Sequence, residues 1–244
     1  MKHLWCLALA AVLASGIGYA ESLTREQIQQ RLASLPADFT NLEAPGANLS
    51  GINFAGASLF GANLKGANLS NANLARCNLN VAILRDAVLV NADLRDAKLF
   101  SSVLANADLS KADLSGAQLR GNFDHAKLEG ANLERVQGGA DMRNQPMGLV
   151  RLVLTGARMR SARLAEANLS RADLSYADLR EADLSGVDLT RAKLVGADFT
   201  GATLTNATLA GAEIHHAIFK AAVGIQTVRG LETAEGRDVA IFDR

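Results

Sequence analysis

Residues 62–79 read Ala62-Asn63-Leu64-Lys65-Gly66-Ala67-Asn68-Leu69-Ser70-Asn71-Ala72-Asn73-Leu74-Ala75-Arg76-Cys77-Asn78-Leu79. A large apolar residue stands at every fifth position, with a small residue two places before it and a polar one between. The ladder runs without exception from Leu49 to Leu119. It resumes from Leu154 to Phe219, and Phe123, Leu128 and Leu133 lie between the two runs. Five is the period of neither a helix nor a strand. Within a unit, though, the spacing is strand-like: alternation puts Ala67 and Leu69 on one face and Asn68 on the other. The next pair, Ser70-Asn71 or Lys65-Gly66, consists of turn formers, and Gly or Asn at its second place can take φ > 0. Each unit is therefore a very short strand followed by a corner.

Stacking such units gives a solenoid with a leucine column inside and a polar outside. The interior is narrow, so the residue two before each centre is small: usually Ala, with Cys77 and Ser102 as near-isosteres. Each fully buried Leu contributes roughly 1.5–3 kcal/mol. A Leu→Asp change in mid-run is expected to cost several kcal/mol, because it buries a charge.

From Phe39 to Phe219, apart from an interruption, the Ala-Asn-Leu-x-x and Ala-Asp-Leu-x-x units resemble the pentapeptide-repeat family. The resemblance implies an all-β fold, a right-handed quadrilateral parallel β-helix with four units per coil. Neither the hand nor the four sides follows from the period. With four sides, the regular body makes about eight coils, roughly 38 Å long at a strand spacing of ~4.8 Å.

The remaining segments differ in texture. Residues 1–20 carry Lys2 and His3, an apolar stretch from Leu4 to Ile17, and the small-x-small site Gly18-Tyr19-Ala20. They read as a secretory signal peptide cleaved after Ala20, which predicts a periplasmic or secreted protein without stable membrane insertion. An uncleaved anchor is the rival, but the apolar stretch is short for a span. Residues 21–36 are expected to form an N-terminal capping helix. Thr24-x-x-Gln27 is a capping box, Leu23 and Ile28 fit a hydrophobic staple, and Ile28, Leu32 and Leu35 share a face that Pro36 ends. Such a helix would cover the first coil, or else present an amphipathic face to a partner.

The solenoid then occupies 37–133 and 152–219. Between Leu119 and Phe123 the ladder loses one residue. Residues 134–151 interrupt it; Met142 and Met147 keep the spacing but are out of phase with both runs. Part of this stretch reads as a degenerate coil and part as a loop around Gly138-Gly139 and Pro146, with or without a role of its own. Residues 220–244 hold scattered apolar side chains, enough for a C-terminal cap or, as in some members of the family, a homodimer contact.

Charge and chemistry narrow the function. Lys plus Arg and Asp plus Glu both number 25, which argues against a general nucleic-acid binder. Cys77 alone follows the leader, so no intrachain disulfide is expected in the mature chain, and it reads as a small core residue. The Asp residues before the centres, such as Asp173, Asp178, Asp183 and Asp188, point outward. At a 20-residue repeat, Asp178 sits beside Arg158 and Asp198, and Asp173 beside Lys193, as solvated ladders of mixed charge. His215 and His216 near Glu213 face different directions in an extended unit and do not chelate easily; His125 is a lone corner residue. No catalytic residues, metal site or cofactor are expected.

One departure from the pattern stands out. Phe60, Val81, Ile83, Val88, Val90, Phe100 and Val103 put apolar side chains in outward positions. Phe60 and Phe100 share a column, Ile83 and Val103 another, which predicts an exposed apolar patch on one corner and the adjoining face. The patch is either a partner surface or is covered by the interruption or a terminal segment. The reading is an exported, non-enzymatic scaffold or protein-binding protein. One alternative is a DNA mimic that shields a topoisomerase, as some members of the family do; its expected acidic rod is missing here. Another is a solenoid enzyme, which only fold analogy supports.

Overall fold

The computed structural model describes residues 23–33, 37–140 and 150–243. The leader at 1–20, Leu35, Pro36, Met142, Pro146 and Met147 lie outside the described residues. The N-terminal element is α1 (Arg25–Leu32). Thr24 and Gln27 close the capping box in both directions: the Thr24 N–H donates to Gln27 Oε1 at 2.7 Å, and the Gln27 N–H to Thr24 Oγ1 at 3.3 Å. Ile28 is fully buried, and Leu23 and Leu32 pack on the same core. Arg25 secures the helix to the first coil by donating to the carbonyls of Asn48 and Ser50 at 2.9 and 2.8 Å. The helix thus caps the solenoid.

From Asp38 onward, parallel bridges join residues 20 apart: Asp38 to Ser58, Glu43 to Asn63, Asn48 to Asn68, Asn53 to Asn73. Four units of five make one coil, and the coil has four sides. Side one holds the centres Phe39, Leu59, Leu79, Leu99 and Leu119; side two begins at Ala44, side three at Leu49 and side four at Phe54. The centres and nearly all the small residues before them are buried; Ala47, in the first coil, is only partly so. Cys77 sits in this column, its thiol donating to the Phe54 carbonyl at 2.9 Å, and burial pushes its pKa up to about 12.

The regular corners turn on a residue with φ > 0, whether Asn71 (57°), Gly66 (65°) or Arg171 (62°). The outward Asn or Asp stabilises the corner. Its side-chain oxygen accepts from the backbone N–H two residues on: Asn68 from Ser70 at 3.0 Å, Asn73 from Ala75 at 3.1 Å, Asp173 from Ser175 at 3.1 Å. This Asx turn accounts for the Asn/Asp of the motif better than a charge ladder does. The Ser175 and Ser185 hydroxyls also donate to the carboxylates of their own units, Asp173 and Asp183.

Two irregularities interrupt the stack. Strands β1 (Lys98–Val103) and β2 (Gln118–Asn122) pair in parallel, in register 20 as far as Phe100↔Arg120 and in register 19 from Ser102↔Gly121. The missing residue is absorbed at this corner as a bulge that leaves Ser101 out. The tightened backbone brings Gly121 against the Ser102 carbonyl, where no Cβ fits. One coil later the step becomes 31: Asn122 pairs Val153, Lys127 pairs Arg158 and Gln137 pairs Asn168. Residues 136–138 still pair as the next side-one unit, with Gly138 at its centre, and the extra length enters between Ala140 and Arg151.

At the C-terminus the unit lengthens to six. Val223, Arg229, Glu235 and Ile241 bridge Thr203, Thr208, Glu213 and Ile218, and Gly224, Gly230 and Gly236 follow with φ of 78°, 73° and 78°. Short 3-10 turns at Ile225–Thr227 and Leu231–Thr233 fill the added length. Phe242 stacks on Phe219 and Phe219 on Phe199, with centroids 5.1 and 4.9 Å apart. The scattered apolar residues of 220–244 are thus a final coil of different period that covers the leucine column.

Candidate functional site: one corner of the solenoid

The corner between sides one and two holds several departures from the repeat, although the exposed Val88 and Tyr176 lie elsewhere. Phe60 and Phe100 lie in its first column and Val81 in its second, each more than two fifths exposed. The bulge at Ser101 and the tight step at Gly121 fall on the same corner. So does the root of the insertion: the Ala140 N–H donates to the Ser170 carbonyl at 3.2 Å, as the Val81 N–H does to Phe100 at 2.8 Å. Arg120 Nε donates to the Gly139 carbonyl at 3.0 Å and ties the root of the insertion to the coil below. Phe100, Gln118, Arg120 and Gln137 line a shallow depression of about 140 Å³ beside it.

The other apolar outliers divide. Ile83 and Val103 bridge each other on side two, next to the corner. Val88 stands on side three, between Asn68 and Asp108, and Val90 on the corner beyond it. Val90 and Val103 are half-buried. The corner group therefore comprises Phe60, Val81, Phe100, Ile83 and Val103, and Val88 and Val90 face another way. Sequence reasoning missed Val153, which follows Val103 and Asn122 in the side-two column. The step of 19 and then 31 hides that column from a constant 20-residue count.

The outward apolar residues carry a local cost. Ile83, Val88 and Val103 stand where an Asn or Asp would accept the corner N–H, and their side chains offer no acceptor. A protein hydrogen bond of this kind is worth about 0.5–1.5 kcal/mol.

The charged faces form ion pairs within and between units. Asp178 is beside Arg158 and Asp198, and Asp173 beside Lys193, in the expected register. The partners differ, however: Arg180 grips Asp178 of its own unit with two bonds of 2.7 and 2.6 Å, while Arg158 holds Glu129 at 2.6 Å. Arg95 and Asp93 repeat the arrangement at 2.9 and 2.6 Å. The guanidinium hydrogen bonds hold the Asp93 and Asp178 carboxyls below the usual range. His125 packs on Gly156 and His215 on Gly236 of the following coils. Among the described residues no group of three or more His, Cys, Asp or Glu could hold a metal, and no helix is long and apolar enough to cross a membrane.

Pentapeptide repeats are matched in 8 copies, over residues 37–74, 62–99, 89–121, 153–191 and 182–220. The chain belongs to the pentapeptide-repeat family. The matched ranges leave out 122–152, the stretch from the tight step to the end of the insertion. Among solved structures the chain is similar to HetL, a pentapeptide repeat protein involved in heterocyst differentiation regulation from the cyanobacterium Nostoc sp. strain PCC 7120. Identity is 28%, the TM-score 0.48, and coverage 90% of this chain and 99% of HetL. It is also similar to full-length QnrB1, a plasmid-mediated fluoroquinolone resistance protein, at 18% identity and TM-score 0.39, covering 92% and 90% of the two chains. A third is the pentapeptide repeat protein Rfr23 from the cyanobacterium Cyanothece 51142, at 26% identity and TM-score 0.23, covering 49% and 90%. No match was found among curated proteins.

Proposed function

We propose that this pentapeptide-repeat chain is an exported, non-enzymatic scaffold that binds a protein partner on the corner between sides one and two. The observation that carries the reading is the gathering of the exposed Phe60, Val81 and Phe100, the bulge and the insertion root on a single corner. Ile83 and Val103 beside the corner also forgo a turn contact that the regular units make. The leader-like residues 1–20 support export to the periplasm or beyond. The DNA-mimic alternative has less support, because Lys plus Arg equals Asp plus Glu and arginines ladder this corner. Self-pairing through residues 220–244 is a separate proposal, which light scattering decides.

The test is a crosslinking pull-down from the native compartment with wild type and with Phe100→Asp plus Val103→Asp. A partner held by wild type and released by the variant, at unchanged melting temperature, supports the reading. Equal capture by both refutes it.

A further inference from the structure

The upper half of the same corner is built differently. Arg151, Arg171 and Arg191 occupy one column on three successive coils, and with Lys193, Gly211, Glu213 and Glu235 they line a depression of about 460 Å³. Arg191 leans over Gly211, whose missing side chain keeps the far end open. Stacked guanidinium groups one coil apart repel each other. Elsewhere on this surface Arg95, Arg158, Arg160, Arg163 and Arg180 each hold a carboxylate. Among the described residues, none of the four cations in the depression has such an ion pair. The chain as a whole carries balanced charge, so this concavity with four cationic and two anionic side chains is a local basic site.

We propose that this depression binds a short polyphosphorylated anion. Guanidinium forks match phosphate oxygens two at a time, and a phosphate presents acceptors on more than one side, so it can bridge adjacent rungs. A carboxylate accepts mainly in its own plane. Glu213 and Glu235 close the far end of side two and repel further negative charge. The site thus takes an anion about three rungs long and rejects a long polyanion such as nucleic acid. The inference stands apart from the protein partner, because none of its residues belongs to the apolar end of the corner.

The experiment is calorimetric titration of the purified protein with inorganic tripolyphosphate, at low and high salt. Binding is expected, weakening as salt rises. Arg171→Asn plus Arg191→Asn is expected to weaken it roughly tenfold or more. Asn is chosen because both positions have φ > 0, at 62° and 56°, which Asn tolerates; an unchanged melting temperature verifies the fold. Glu235→Gln is expected to tighten binding. Arg160→Gln, which breaks the ion pair with Glu181 on the opposite corner, is expected to leave it unchanged. Absence of binding, equal binding by the double variant, equal loss in Arg160→Gln, or a match by citrate or single-stranded DNA overturns the assignment.

Discussion

Leu152 fills the space that Gly138 leaves empty. Gly138 stands where side one would carry its next leucine, between Leu119 and Leu169. Leu152 stands where side two would carry an alanine, and it is fully buried. A Cβ on Gly138 would lie 2.7 Å from Leu152 Cδ2 and 3.1 Å from Leu169 Cδ2. Large and small have exchanged places across the root of the insertion, and the interior keeps its volume.

That exchange gives the first prediction. Gly138→Ala overpacks the coil and is expected to cost about 1–3 kcal/mol. Adding Leu152→Ala relieves the crowding, so the double variant is expected to be more stable than the sum of the single changes allows. Denaturant unfolding of the four proteins gives the coupling, and strict additivity would show that the two side chains do not share a space.

A second prediction concerns the turn contacts. Val88 stands between Asn68 and Asp108, which accept from the N–H groups of Ser70 and Ser110 at 3.0 and 3.1 Å. Val88→Asn restores the missing acceptor and is expected to stabilise the protein by up to about 1 kcal/mol. Thermal melting reads it. A clear fall in melting temperature would count against the role assigned here to the outward Asn and Asp.

A third prediction follows from the C-terminal stack. Phe242→Ala removes the ring that covers Phe219 and is expected to cost about 1–3 kcal/mol, less than a fully buried Phe because Phe242 is half-buried. The loss is local. Hydrogen exchange should speed up in the last coils, and the amides around Leu89 should keep their protection.

The fourth concerns acid. The Asp93 and Asp178 carboxyls are depressed by Arg95 and Arg180, so their stabilisation is complete above the unfolded value of about 3.9 and is lost as pH falls through the folded one. Melting temperature is expected to be level from neutral to about pH 5 and to decline below about pH 4. Asp178→Asn keeps a turn acceptor and removes the charge, so its acid decline is shallower. The arginines lie in solvent, so the difference is small and fades in high salt.

The fold was legible because the period repeats wherever packing repeats. Leu49 to Leu119 and Leu154 to Phe219 each fix a side, an inward face and a neighbour one coil away. The capping box at Thr24 and Gln27 was equally readable, since it is local. What was hidden depended on register. The corner shared by Phe100, Gly139 and Arg171 does not appear in a count of 20, because the coil between them is first one residue short and then eleven long. The final coil was hidden for a related reason: its glycines recur every six residues, a period too brief to announce itself in 220–244. Gly138 read as part of a loop, and Leu152 drew no notice; only their contact shows the one compensating for the other.

The proposed partner surface lies on the corner between sides one and two. Site-specific photocrosslinking tests it most directly, with the crosslinker placed in turn at Phe100 and at Lys111 on the opposite corner, in the native compartment. A discrete protein adduct is expected from Phe100 and none from Lys111. The same adduct from both positions, or one from Lys111 alone, would contradict it.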